Sequence, residues 1–474
     1  MMKVKFKAVA VMATMFFCSA SAQLKTPLQT FLEHSDVEAA GVSIYIKDVM
    51  NDSVLVDHNS KTNLIPASVT KVVTTAAALE ILSDTFRFET KVLYDGSLSA
   101  DSVLRGNLYV VGGGDPSLES EYAKGRSFLK GTVEAVKKLG IKKINGAVIA
   151  DASLYAQGGA PIQWLVEDIG TYYAPVPSAL SFCDNVFNLV YKGSAGCKPQ
   201  LVSVYPPTNL LNIQNDMNSG GDTWWRAYSK PYSWDVQLRG NLPVGKNSGI
   251  RIEIPEPELL VADSLRAMLE KSGVKVSQPA RTTRWDTIKV PEGARLVFTH
   301  QSDMLKNLIK KTNYRSINLY AENIFLRLAL QRAEVATFQT ASDVVAQFWK
   351  SKGLNVKHTY QADGSGLSMK NAISSKFLVD VLTYMRRGSV YSQQFTESLP
   401  QAGVNGTVKS LFANTPLAGK VYAKSGSMER VQNYCGYVFH NNRVYAFSVM
   451  LNNFDGGRYA LRQRLATLFN EIFK

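Results

Sequence analysis

Apolar and polar residues alternate along "GVSIYIKD", residues 41–48, with the period of two that predicts a strand, and "NDSVLVDHN" reads as its hairpin partner. The texture then changes. From Ser68 to Leu82 the run "SVTKVVTTAAALEIL" predicts a helix, with Pro66 just ahead as a start signal. From about Phe86 to Asp286, "KVLYDGSL", "GNLYVVGGGDP" and "INGAVIADASLY" read as strands between Gly/Asp turns. "YPPTNLL", "NSGGDTWW" and "GNLPVGKNSG" in the same block are loop-rich. Helical spacing returns after about Leu296, in "NLYAENIFLRLALQRA" and in "ASDVVAQFWKSKG", the second closed by Gly353. "NYCGYVFHNNRVYAFSVML" predicts a β-hairpin turning at His440-Asn441-Asn442, and "GGRYALRQRLATLFNEIF" a closing amphipathic helix. No repeat of fixed period occurs.

The two ends of the chain thus carry strands and helices that could share one sheet, with the middle block inserted between them. That predicts a multi-domain α/β chain: a discontinuous domain of residues 23–85 and 287–474, and an inserted β-rich region, 86–286, of two subdomains. A length of 474 residues fits this division, and 45% hydrophobic with 19% charged residues excludes a disordered chain.

Residues 1–22 read as a secretory signal. Lys3, Lys5 and Lys7 precede the apolar "AVAVMATMFF", and Ala20-Ser21-Ala22 offers a cleavage site before Gln23. A lipid anchor at Cys18 is the rival reading, disfavoured by the bulky Phe17 before it. No later run of about 18 apolar residues exists, so no transmembrane anchor is expected. An exported, periplasmic or extracytoplasmic protein follows. Cleavage removes three lysines and no acid, so the formal charge falls from +14 to +11. A basic exported protein suits an anionic partner such as cell wall, membrane surface or acidic peptide, though solubility alone is an equal explanation. No nucleic-acid motif is present. Cys183 and Cys197, 14 residues apart, could form a local disulfide, and Cys435 reads as a buried free thiol on a strand. No cysteine or histidine spacing suggests a metal site.

Several common chemistries fail. There is no G-x-S-x-G elbow and no H-E-x-x-H. "GNLPVGKN" misses the Ser/Thr of a P-loop, because Asn247 stands there among strands. What remains is Ser-x-x-Lys, found three times: Ser68–Lys71, Ser127–Lys130 and Ser272–Lys275. Residues i and i+3 share a helix face, so Ser68 would lie beside the Lys71 ammonium. A serine becomes a nucleophile only when a neighbour takes its proton, and a lysine can do so only if burial or a second cation lowers its pKa. Only the first pair opens a helix, whose N-terminal N–H groups could receive an oxyanion. Ser127 follows the polar "EYAKGR", and Ser272 ends a helix capped by Gly273. Downstream, Ser316-Ile317-Asn318 stands just before a helix and Lys424-Ser425-Gly426 ends an apparent strand. Ser-x-x-Lys, Ser-x-Asn and Lys-Ser/Thr-Gly in this order form the acyl-transfer set of penicillin-binding proteins and β-lactamases.

"IPASVTK", "GGGDPSL", "SALSFCDNVFN", "SINLYAEN", "DGSGLS" and "AKSGS" resemble, in order, the blocks of the class C penicillin-binding proteins, the D-alanyl-D-alanine carboxypeptidases/endopeptidases. The 245 residues between Lys71 and Ser316 match that family's large insertion and exceed what a compact β-lactamase leaves. Ser425 in place of the commoner threonine keeps the hydroxyl, and Ile317 replaces a frequently polar residue. The resemblance implies a transpeptidase-like antiparallel sheet flanked by helices. It implies acyl transfer on peptidoglycan peptides ending in D-Ala-D-Ala or cross-linked through D-Ala, with β-lactam antibiotics as inhibitors and no metal or cofactor. Ser68 would attack, Lys71 act as base, Ser316 relay a proton and Asn318 hold Lys71 or the substrate amide. Lys424 would depress the Lys71 pKa and attract the substrate carboxylate, helped by Ser425 and Ser427. The Ser68 and Ser427 N–H groups would form the oxyanion hole, and Gly364, Ser365 and Gly366 would shape a nearby loop. Asp151 could meet the amine of the peptide's third residue, or be a turn aspartate, as Asp115 is expected to be. The rival functions are a β-lactamase and a non-catalytic cell-wall-binding scaffold.

Overall fold

The computed structural model describes residues 26–123, 127–156, 159–285 and 287–474. The signal predicted at residues 1–22 lies outside them. Five strands form the central sheet: β1 (Gly41–Asp48), β2 (Val54–His58), β3 (Val421–Met428), β4 (Val431–His440) and β5 (Arg443–Asn452). They run in the order β2-β1-β5-β4-β3, and every neighbouring pair is antiparallel. Both ends of the chain therefore build one sheet, and the expected hairpin joins β4 to β5. Its turn residues Asn441 and Asn442 sit at φ 48 and 58, the left-handed pair that matches strand twist.

Side chains alternate across this sheet. Ile44 and Ile46 of β1, Val438 of β4 and Phe447, Val449 and Leu451 of β5 pack with Leu461, Leu465 and Phe469 of the C-terminal helix, Arg458–Ile472. The opposite set, Tyr45, Cys435, Tyr437, Ala446 and Met450, joins the larger core on the other face. That core holds helix α1 (Thr70–Leu82), whose residues 70–79 are all buried. The run "TKVVTTAAAL" has no polar face because it has no solvent-facing side. Helices α2 (Leu305–Arg315), α3 (Asn318–Ala329) and α4 (Ser375–Arg387) contribute further apolar residues to this core.

The middle block is β-rich. One five-stranded sheet runs Arg281–Thr282, Val148–Asp151, Leu108–Val111, Glu89–Tyr94, Arg295–Gln301, so a strand beyond residue 286 pairs with one near the start of the block. Two three-stranded sheets are built on Val186–Ser194 and on Asp235–Leu242. The first explains why the disulfide suggested by cysteine spacing does not form. Val186–Ser194 and Cys197–Tyr205 are a hairpin, with Cys197 beside its turn and Cys183 beyond its far end. A nine-residue strand, roughly 30 Å, separates them. Both are free, Cys183 buried and Cys197 exposed, and Cys435 is the buried free thiol that its strand predicts.

Candidate active site

The nucleophile candidate lies at a strained corner. Residues 67–69 form a single 3₁₀ turn and the α-helix begins at Thr70, so Ser68 precedes α1 rather than opening it. Ala67 sits at φ 48, and Thr70 Oγ1 donates to its carbonyl at 2.8 Å. Ser316 joins α2 to α3 at φ 59, ψ 41. A left-handed conformation costs a non-glycine residue about 1–2 kcal/mol. Such strain concentrates where side-chain direction matters.

Ser68 on the 3₁₀ turn, Lys71 on α1, Ser316 at the α2–α3 junction, Asn318 on α3 and Lys424 on β3 converge. Lys71 Nζ donates to Ser68 Oγ at 2.9 Å, to Asn318 Oδ1 at 2.6 Å and to the Ser365 carbonyl at 2.8 Å. Three acceptors match the three hydrogens of an ammonium. Lys424 Nζ donates to Ser316 Oγ at 2.9 Å and to the Ser425 carbonyl at 2.6 Å. Both lysines are fully buried. Burial pushes both ammonium groups down, Lys71 against the pull of Glu322 and Asp363. Burial is the largest cause at both lysines, and the repulsion between the two buried cations disfavours Lys424 further.

β3 flanks this cluster. An added Cβ on Gly426 would lie 2.7 Å from the Pro66 carbonyl oxygen and 3.0 Å from Ser68 N, so the strand abuts the nucleophile turn. Ser425 Oγ donates to Thr407 Oγ1 at 2.8 Å, and Ser427 Oγ to Gln432 Oε1 at 3.0 Å. Thr407 escaped the sequence reading because only the fold brings its loop to β3. The "DGSGLS" loop is equally close. Gly364 and Ser365 donate their N–H groups to Glu322 at 2.8 and 2.9 Å. Asp363 accepts from Gly366 N, Ser368 N, Asn371 Nδ2 and Trp164 Nε1, the last from the inserted block.

The two decoys have ordinary duties. Ser127 caps a helix, accepting from Lys130 N at 3.1 Å, and Ser272 Oγ donates back to the Leu269 carbonyl at 2.7 Å. Asp115 is a turn residue that accepts from Ser117 N at 2.8 Å. Asp151 does not join the cluster: among the described residues its carboxylate accepts from Ser153 N at 3.0 Å and Thr283 Oγ1 at 2.9 Å. Another acid of the inserted block, Asp168, is linked to the site through Tyr173. It accepts from the Tyr173 hydroxyl at 2.9 Å, and Asn318 Nδ2 donates to the Tyr173 carbonyl at 2.6 Å.

The loop carrying Tyr173 is held by Glu253, which accepts from Gly170 N at 3.1 Å and Val176 N at 2.7 Å. Burial pushes this carboxyl up to about 7, against those two hydrogen bonds. A folded-state value above the unfolded one means that the stabilising contribution is present at low pH and lost as pH rises through about 7. Between pH 5 and 8 the parent protein is expected to lose on the order of 3 kcal/mol more stability than Glu253→Gln, measured by urea unfolding. Parallel pH dependences would exclude titration of Glu253 in that window.

Among the described residues no group of His, Cys, Asp and Glu could hold a metal ion, and no helix is long and apolar enough to cross a membrane. A serine held by a buried lysine, with a second serine–lysine pair beside an antiparallel sheet, defines the class of serine acyl-transfer enzymes that recognise penicillin. Within that class, the chain belongs to the D-Ala-D-Ala carboxypeptidase 3 (S13) family, whose profile matches residues 24–468. It is 27% identical over 467 residues to the D-alanyl-D-alanine carboxypeptidase DacB of Haemophilus influenzae, covering 92% of each chain. The crystal structure of penicillin binding protein 4 (dacB) from Haemophilus influenzae superposes with a TM-score of 0.79 at 25% identity, over 92% of this chain and 97% of that one. The same protein complexed with a β-lactam gives a TM-score of 0.75 at 25% identity, with the same coverage. The transpeptidase-like fold and the serine D-Ala-D-Ala carboxypeptidase activity expected from the motifs therefore stand.

Proposed function

We propose that this carboxypeptidase works through an acyl-enzyme on Ser68, is exported by residues 1–22, and cleaves D-Ala-containing cross-links of peptidoglycan as well as terminal D-Ala. The observation that carries the mechanism is the threefold grip on Lys71. When Lys71 is neutral, two of its hydrogens stay with Asn318 and Ser365, and its lone pair faces Ser68 Oγ. Lys71 Nζ takes the Ser68 proton as Oγ bonds to the scissile carbonyl carbon. The Ser68 and Ser427 N–H groups receive the oxyanion. The C–N bond then breaks as the proton held by Lys71 passes through the Ser316 hydroxyl, itself held by Lys424, to the leaving amine, which leaves Lys71 neutral again. Water hydrolyses the ester and restores Ser68.

The leaving D-Ala carboxylate would lie against Lys424 and the hydroxyls of Ser425, Ser427 and Thr407. For an amine on the peptide's third residue, the network through Tyr173 favours Asp168 over Asp151. Residues 86–286 act in this reading as an inserted wall that brings Trp164 and Tyr173 to the site.

The test is to incubate the mature protein with benzylpenicillin, follow its intact mass, and map any adduct by digestion. A long-lived penicilloyl adduct on the peptide containing Ser68 supports the reading. Rapid turnover without accumulation would make it a β-lactamase, and no adduct at all would favour a scaffold.

A further inference from the structure

Glu322 has no place in the mechanism above, yet it is fully buried on α3, four residues after Asn318. That spacing sends both side chains off one helix face. Asn318 meets Lys71 directly, whereas Glu322 meets it through a loop. Its two carboxylate oxygens accept the Gly364 and Ser365 N–H groups, and the Ser365 carbonyl accepts from Lys71 Nζ at 2.8 Å. Thr74 Oγ1, one turn beyond Lys71 on α1, donates to the Gly364 carbonyl at 2.7 Å. The loop is thus pinned between α3 and α1. Gly364 lies so close to α3 that an added Cβ would stand 2.4 Å from the Ala321 carbonyl oxygen.

We propose that Glu322 is a positioning residue for Lys71: it fixes the peptide whose carbonyl orients the lysine amine, and its carboxylate is the countercharge to the Lys71 ammonium. The inference rests on the reading of Ser68 and Lys71 as nucleophile and base.

A buried carboxylate needs hydrogen bonds and a countercharge. The charged and titratable groups around Lys71 are Glu322 on α3, Asp363 on the loop, Lys424 on β3 and Cys435 on β4 behind Lys424. Asp363 is satisfied by four donors within its own loop and from Trp164. Glu322 has only two backbone N–H partners among the described residues, so the Lys71 ammonium is the cation that balances it. The effect is reciprocal: burial raises the Glu322 carboxyl while Lys71 opposes it, and burial lowers Lys71 while Glu322 opposes it.

Two variants separate charge from scaffold. Glu322→Gln removes the negative charge that favours the ammonium, so the acidic limb of the pH–rate profile for benzylpenicillin acylation moves to lower pH, by about 1 unit or more. Its rate on the plateau falls about tenfold, because the two backbone N–H groups sit on separate carboxylate oxygens and the amide sets its NH2 donor against one of them. Thr74→Val releases the same loop without changing charge, so its plateau falls while its acidic limb stays at the wild-type pH. The proposal is overturned if Glu322→Gln keeps the wild-type limb, or if both variants move it equally. If Glu322→Gln does not fold, Glu322→Asp, which keeps the charge, is expected to show a wild-type limb with a lower plateau; a limb moved to lower pH there overturns the proposal too. Failure of the acyl-enzyme reading looks different, since the wild-type protein would then form no adduct at Ser68 at any pH.

Discussion

Ser68→Ala is expected to abolish the penicilloyl adduct and to lower D-Ala release on the order of 10⁶-fold, the scale seen when a serine nucleophile that acts with its base is removed. The fold should survive. Among the described residues Ser68 Oγ takes one hydrogen bond, from Lys71, and the turn that carries it is held by Thr70 Oγ1 on the Ala67 carbonyl and by the packing of Gly426. Losing that single bond changes stability by about 1 kcal/mol. Ser127→Ala reverses the pattern. It removes a helix N-cap, so it costs about 1 kcal/mol of stability and leaves the adduct intact. Intact mass and thermal melting on both variants distinguish the two serines, although both begin a Ser-x-x-Lys sequence. An adduct that persists in Ser68→Ala would remove Ser68 as the nucleophile.

That contrast shows where the chemistry was legible. The chemical pattern was ambiguous three ways, and the helix-start argument did not separate the candidates as expected: Ser68 precedes α1, whereas Ser127 is itself a helix N-cap, so the order ahead of Ser316-Ile317-Asn318 and Lys424-Ser425-Gly426 carried the choice. The long-range partners left weaker marks. Glu322 and Ser365 stood in blocks whose resemblance was plain, but pairing them needs α3 and a loop more than 40 residues away to touch. A signal was available for Glu322: an acid in the apolar helix "NLYAENIFLRLA", one turn from Asn318. Asp168 left no comparable signal, since it lies in an irregular segment where no periodicity says which way a side chain points. Asp151 looked better placed because it ends a strand, and strand ends are readable. The cysteines failed for a similar reason. Fourteen residues look close in sequence, but a hairpin strand between them is extended. The fold class was the most legible feature, because alternation along β1, β4 and β5 reports both faces of one sheet.

Gly366→Ala is expected to lower acylation about 10²-fold or more and to destabilise the protein by several kcal/mol. Gly366 has φ +82, which costs an alanine about 1–2 kcal/mol. Its new Cβ would also stand 1.9 Å from the Ala67 carbonyl oxygen and 2.5 Å from the Ala67 carbonyl carbon. Those are backbone atoms next to the nucleophile, so no side chain can swing aside. Restoring ordinary contact means moving the loop or the Ser68 turn by roughly 1.5 Å, and overpacking of this kind costs about 1–3 kcal/mol. A displacement of about 1 Å at a reacting group is enough to lose 10²-fold in rate. Gly273→Ala isolates the conformational part. Gly273 has φ +93 with nothing within 4 Å of an added Cβ, so the variant pays only the left-handed penalty, far from the site. Its acylation rate should match the parent while its melting temperature falls. Both variants acylating at the parent rate would mean that the DGSGLS loop does not hold the nucleophile turn in place.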